Sequence, residues 1–191
     1  RTTGEATILR NDGSGWRKVA VPELQRDGVN AFFKVWGTSS DNVYIVGQNG
    51  AVLHWDGDKL TEELVGTARD LISLWGTGPD NIVVVGGRGN GEVAHWDGSS
   101  WQSTSVSPLP GVNGVWMRQP ETAYIAMENG KVGRVDLSGD EPVVRDTQLE
   151  TSLTLHAIFG IESAGLFTVG GSLRSPGAPY RGVAFERRWK K

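Results

Sequence analysis

Four aspartates, Asp12, Asp56, Asp97 and Asp136, each close a short apolar run, and two histidines, His54 and His95, each stand two residues ahead of one of them. Imidazoles are the commonest metal ligands, and a pair of carboxylates facing one another is the machinery of glycoside hydrolysis. A second set of side chains suits recognition rather than reaction: Arg69, Arg88, Arg174, Tyr180 and Arg181. Arg and Tyr supply much of the energy at binding hot spots. Nucleophile elbows, zinc motifs and phosphate loops are absent, and Arg88-Gly89-Asn90-Gly91 falls between two strand-like runs rather than ahead of a helix.

What these residues can do depends on what positions them, and the spacing is that of a repeat. The stretch FKVWGTSSDNVYIVGQNGAVLHW (33–55) leads into Asp56-Gly57, and SLWGTGPDNIVVVGGRGNGEVAHW (73–96) leads into Asp97-Gly98. Weaker echoes run over 114–136 and 157–186. Trp36, Trp75, Trp116 and Phe159 recur at intervals of 39, 41 and 43 residues. Asn49-Gly50, Asn90-Gly91 and Asn129-Gly130 fall at one place in three units, and Asn-Gly between apolar runs signals a tight hairpin. The first three units each hold four β-type runs and the last holds three; the second run of the first unit, VYIV (43–46), is nearly all apolar, as a strand covered on both faces reads. No 3.6-residue periodicity competes.

Four strands in a unit of about 40–50 residues describe a β-propeller blade. The expected fold is therefore all-β, a single domain or propeller fragment of four-stranded antiparallel blades. A partial blade spans 5–22, three full blades span about 30–65, 70–106 and 111–146, and a fourth over 153–191 stops as its outer strand begins. In the last, the middle hairpin is replaced by the longer loop 170–181, GGSLRSPGAPYR. The count is four to five blades and leaves two closures open. Trp16–Val21 could complete the last blade, or the chain is part of a six- to eight-bladed ring with blades missing upstream, the reading preferred here.

The repeat changes the meaning of the candidate residues. An Asp ahead of Gly at a turn accepts backbone N–H groups two residues on, so one Asp per blade is turn chemistry, and the carboxylates stand far apart. His54 and His95 occupy equivalent positions of adjacent blades and read as scaffold; no metal or cofactor is expected, a calcium ion in 40–42 or 79–81 being the minor alternative. Trp36, Trp75 and Trp116 are expected near the inner strands, and Trp16 and Trp101 between blades, where large rings fill the wedge. Binding is expected on the face that carries the blade-to-blade connections and middle hairpins, with Arg69, Arg88, Arg174, Tyr180 and Arg181, because loops on a rigid frame carry function.

The residues VWGTSSDN, YIVG and LHWDG, with DGSSW in the next unit, resemble a bacterial propeller repeat of secreted and lipid-anchored proteins, related to sialidase-type Asp-box (BNR) propellers and to photosystem II assembly-factor-like propellers. The resemblance is strong over 33–101 and loose after 111. It departs where an Asp-box has Ser or Thr two residues before its Asp and this chain has His54 and His95. It also departs where the Asp-Gly turn becomes Asp136-Leu137 and Glu186-Arg187. The resemblance implies an extracytoplasmic setting. A sialidase-like hydrolase or lyase would need an arginine triad, an activated Tyr and an acid in one pocket, and three Tyr residues without those motifs do not make that case.

Composition narrows the partners. A net charge of −3 argues against a general nucleic-acid binder, and no apolar run approaches the roughly 20 residues of a membrane helix. There are no cysteines, hence no disulfides. The first residue is Arg1 and no signal peptide is recognisable, which reads as a mature product or a fragment. The expected function is a non-catalytic, extracytoplasmic binding or scaffolding domain that recognises a protein or carbohydrate. The alternatives are a sialidase-like enzyme, or an assembly factor whose ring is completed by missing blades or by oligomerisation.

Overall fold

The computed structural model describes residues 6–173 and 181–189. Three four-stranded antiparallel sheets follow one another: β3–β6 (Phe32–Ser39, Asn42–Gly47, Val52–Trp55, Leu60–Glu62), β7–β10 (Leu71–Gly78, Asn81–Gly86, Glu92–Trp96, Trp101–Ser105) and β11–β14 (Val112–Gln119, Thr122–Met127, Lys131–Asp136, Val143–Gln148). A hairpin, β1–β2 (Ile8–Asn11, Trp16–Val19), precedes them, and a three-stranded sheet, β15–β17 (Leu155–Ile161, Gly165–Gly171, Gly182–Arg188), follows. Strand order within each sheet is sequential, the meander of a propeller blade, and among the described residues the sheets do not close into a ring. Successive blades stack through their first strands, and the second strands β4, β8 and β12 are buried almost throughout.

One contact recurs between blades. The Trp36 ring of the first full blade lies on Gly76 of the next, where an added Cβ would come within 2.5 Å of it, and Trp116 lies on Gly160 in the same way at 2.2 Å. Between these, buried Met117 fills the glycine position, and Trp75 meets Phe159 edge-on at 5.8 Å instead. Around the rings sit apolar cores: Val46, Leu71, Leu74 and Ile82 between the first pair of full blades; Val85, Val115 and Ile125 between the second pair; Leu155, Ile158 and Leu166 between the last.

Two local expectations are corrected. Trp16 does not wedge between blades and is 71 % exposed. Its equivalent Trp101 does pack there, against Trp96 at 5.6 Å and Tyr44 at 6.2 Å. In the third full blade, where no Trp follows the turn, Leu137 moves inward and fills the wedge. The Asn-Gly turns also diverge. Asn49 and Asn129 adopt the left-handed conformation with φ of 56° and 58°, followed by Gly50 and Gly130, as the tight hairpin demands. At Asn90-Gly91 the loop is longer, and Gly87 and Gly89 take the positive φ instead.

Substituting Trp116 by Ala empties a buried inter-blade site and is expected to cost about 3–5 kcal/mol. Gly76→Val, which drives a side chain into the Trp36 ring, is expected to cost about 1–3 kcal/mol. Urea unfolding followed by circular dichroism measures both.

Candidate functional site

The four aspartates occupy the turns between third and fourth strands, at the end of the blades away from the blade-to-blade connections. Asp12 Oδ1 accepts the N–H of Ser14 at 3.0 Å, and Asp56 Oδ1 those of Asp58 and Lys59 at 3.0 and 2.9 Å. Asp97 Oδ1 accepts those of Ser99 and Ser100, both at 2.8 Å, and Asp136 Oδ1 that of Ser138 at 3.1 Å. Hydrogen bonds to the ionised form lower a carboxyl pKa. Asp97 is pushed down to about 2, mainly by the Ser100 N–H and then by Ser99. Asp12 and Asp136 are lowered chiefly by the hydroxyls of Ser14 and Ser138, and Asp56 by the Lys59 N–H. These carboxylates sit one to a blade, spent on their own turns.

The histidines are clasps of the same kind. His54 Nε2 donates to Asn42 Oδ1 and His95 Nε2 to Asn81 Oδ1, both at 2.7 Å, tying the third strand to the start of the second. In the next blade Arg134 Nη2 donates to Thr122 Oγ1 at 3.2 Å in the equivalent place. His54 is also stacked on Tyr44 and lies 3.4 Å from Glu63, which accepts the Trp101 indole N–H from the neighbouring blade. Burial pushes the Tyr44 hydroxyl up to about 12, aided by Glu63 and Asp80. Burial also lowers the His95 imidazole. Among the described residues no three His, Asp or Glu side chains gather as a metal site.

The opposite end gathers the connections between blades and the hairpins between second and third strands. Arg88, on such a hairpin, donates from Nε to Asp70 Oδ2 at 2.7 Å, and Asp70 Oδ1 accepts the N–H of Asn49 at 3.2 Å. Asn49 in turn donates from Nδ2 to the Asp27 carbonyl at 3.0 Å. Hairpins and connections of neighbouring blades are thus locked together, while Arg88 stays 63 % exposed with its guanidinium 5.8 Å from the Phe33 ring centre. Arg69 is engaged differently: its Nε lies 3.2 Å from the buried Glu92, which also accepts the Ser103 hydroxyl. Its charge chiefly compensates a carboxylate that burial would otherwise penalise. Arg181 is exposed at the start of β17, where its carbonyl accepts the Ser172 N–H at 3.2 Å. Arg174 and Tyr180 lie outside the described residues.

Sequence reasoning passed over a further set. Each first strand carries a β-bulge one or two residues from its loop-face end, and the extra residue is Phe33, Ile72, Asn113 or His156. Bulges re-aim a side chain and are common beside functional sites. Asn113 Nδ2 donates to the Leu155 carbonyl at 3.1 Å and His156 Nε2 to the Gly171 carbonyl at 3.0 Å, whereas Phe33 is exposed under Arg88. The aligned units carry no clean signal for it: the bulged column varies from blade to blade, but the column after it, Lys34, Ser73, Gly114 and Ala157, varies as much.

No family model matches the chain, and no curated protein matches it. Among solved structures it is similar to the tricorn protease at 16 % identity and a TM-score of 0.49, covering 94 % of this chain and 18 % of that one. It is similar to SapL1 lectin, solved with alpha methyl fucoside, at 14 % identity and a TM-score of 0.49, covering 98 % and 73 %. It is also similar to Aleuria aurantia lectin, solved with alpha-methyl-L-fucoside, at 15 % identity and a TM-score of 0.42, covering 84 % and 64 %. The chain thus spans less than a fifth of the protease and about two thirds of the Aleuria lectin. These likenesses add nothing to the sheet topology already described.

The shifted groups predict a two-stage loss of stability in acid. His95 is kept neutral in the fold, so the unfolded chain takes up its proton more readily, and stability falls as pH drops below the ordinary value of 6.5. Asp97 is held as the anion; its contribution is complete above 3.8 and is lost as pH falls towards 2. Urea midpoints measured against pH are expected to lose the first stage in His95→Gln and to show a reduced second stage in Asp97→Asn.

Proposed function

We propose that this chain is a non-catalytic recognition module of an extracytoplasmic protein, and that it takes a protein or carbohydrate partner on the face carrying Phe33, Arg88 and Asp70. The observation that carries this reading is an exposed aromatic ring beneath a guanidinium that a carboxylate already holds in position. A flat ring accepts the C–H face of a sugar or an apolar side chain, and a pre-oriented Arg–Asp pair offers donors and acceptors to hydroxyls or backbone groups. Because the hairpin and connection are fixed by Asn49 and Asp70, little ordering cost remains to be met on binding. The carboxylates that suggested hydrolysis are committed to separate turns at the other end, which supports binding over catalysis. The extracytoplasmic setting rests on the resemblance of the repeat to secreted and lipid-anchored proteins.

A screen of the chain against glycans and extracellular proteins tests the reading. Phe33→Ala and Arg88→Ala are each expected to weaken whatever binds by about tenfold or more, the loss typical of a hot-spot side chain, with the thermal midpoint nearly unchanged because both side chains are exposed. Binding indifferent to both substitutions, or turnover of a bound glycan, would defeat it.

A further inference from the structure

The β1–β2 hairpin is half a blade. It packs against the first full blade as that blade's neighbour, with Ile8 and Val19 meeting Ile45, Leu53, Trp55 and Leu60, and Arg10 lying over the Trp55 ring at 4.9 Å. Aligned by register, Asn11↔Trp16 corresponds to Trp96↔Trp101, so β1 and β2 take the places of third and fourth strands. Among the described residues no first and second strands stand beside them. In their place is an open cleft of about 780 Å³, walled by Phe33, Val35, Val43 and Ile45 on one side and by Ile8 and Arg10 on the other.

The wall of this cleft is a finished receiving surface. Val35 is 57 % exposed, whereas the residues at its register in the following blades, Leu74, Val115 and Ile158, are 0 %, 4 % and 6 % exposed because a preceding blade covers them. Gly37 corresponds to Gly76 and Gly160, which receive Trp36 and Trp116, yet the three atoms nearest to a Cβ on Gly37 all belong to its own blade, in Asn42 and Val43. Hence the cleft has the form of two strands, with an aromatic on the first aimed at Gly37, while the edge of β1 that pairs with no described strand offers the ladder for the second.

We propose that this cleft seats an inner β-hairpin of the same repeat, supplied by polypeptide on the N-terminal side of β1. It would pair antiparallel with β1 and press an aromatic ring onto Gly37. A second copy of this chain fits less well, because its last blade already fills the third-strand place with β17, where β1 stands. In-chain supply is also the geometry of the three four-stranded blades, in which the second strand enters the third through a short loop. The inference does not rest on the ligand proposed above, although Phe33 borders both surfaces.

The test is a chain with a second copy of residues 31–51 fused directly ahead of Ile8, the register equivalent of Val52, so that the added inner pair runs into β1 as β3–β4 run into β5. Hydrogen exchange of the β1 amides that point away from β2 is expected to slow at least tenfold, and the thermal midpoint to rise by roughly 5 °C or more. Val35→Lys is expected to abolish that rise while leaving the melt of the unfused chain unchanged, since Val35 is exposed there. Trp36→Ala in the added copy alone is expected to remove most of it. A fused chain no more stable than the original, β1 amides without added protection, or a gain that survives Val35→Lys would overturn the proposal. So would sedimentation showing that the unfused chain dimerises and that Val35→Lys abolishes the dimer, because the occupant would then be a second copy.

Discussion

The contact on which the architecture turns is an indole ring laid over a position with no side chain in the next blade. Trp36 over Gly76 and Trp116 over Gly160 each bring two first strands closer than any Cβ would permit. A large ring buries much apolar area in one stroke, and the bare backbone fixes where it lands. The spacing between blades is therefore set by two residue types at two registers. Where the glycine is replaced by Met117, the ring of Trp75 finds Phe159 instead, so the aromatic layer stays continuous although the repeat is imperfect.

Hydrogen bonds finish what packing begins, and they divide the molecule into two ends. At one end, the Asp turns and the His–Asn clasps consume every candidate that looked reactive. Each of these carboxylates and imidazoles finds a hydrogen-bond partner within its own blade, which is why it recurs with the blade. At the other end, Asp70 joins a hairpin of one blade to a hairpin of the next, and the polar groups left over, Arg88 above all, project from a rigid base. The turn carboxylates and the Arg88 face are separated by the length of a strand.

The repeat also explains the unevenness of burial along the chain. A side chain at a given register is buried or exposed according to whether a neighbouring blade is present, as Val35 and Leu74 show, and not according to its own hydrophobicity. Val169 at the far end shows the same contrast with its equivalents Val46, Val85 and Ala126. Apolar exposure at both ends of the stack is thus the mark of an interface repeated within the chain and left unused where the stack stops.

The blades, their order, the strand places and the structural meaning of Asp56, Asp97, His54 and His95 were all legible in the sequence, because each is a short-range pattern repeated in register. The tight turns at Asn49 and Asn129 were legible for the same reason. Tertiary structure decided matters that depend on what lies opposite a residue. It left Trp16 in solvent although it shares the motif position of Trp101, since no blade stands beside it to receive the ring. It turned Arg69 towards a buried Glu92 and left Arg88 outward above Phe33, a distinction invisible in two similar loop arginines. The bulges that set Phe33, Ile72, Asn113 and His156 apart arise from pairing between strands, and pairing is not written in either strand alone.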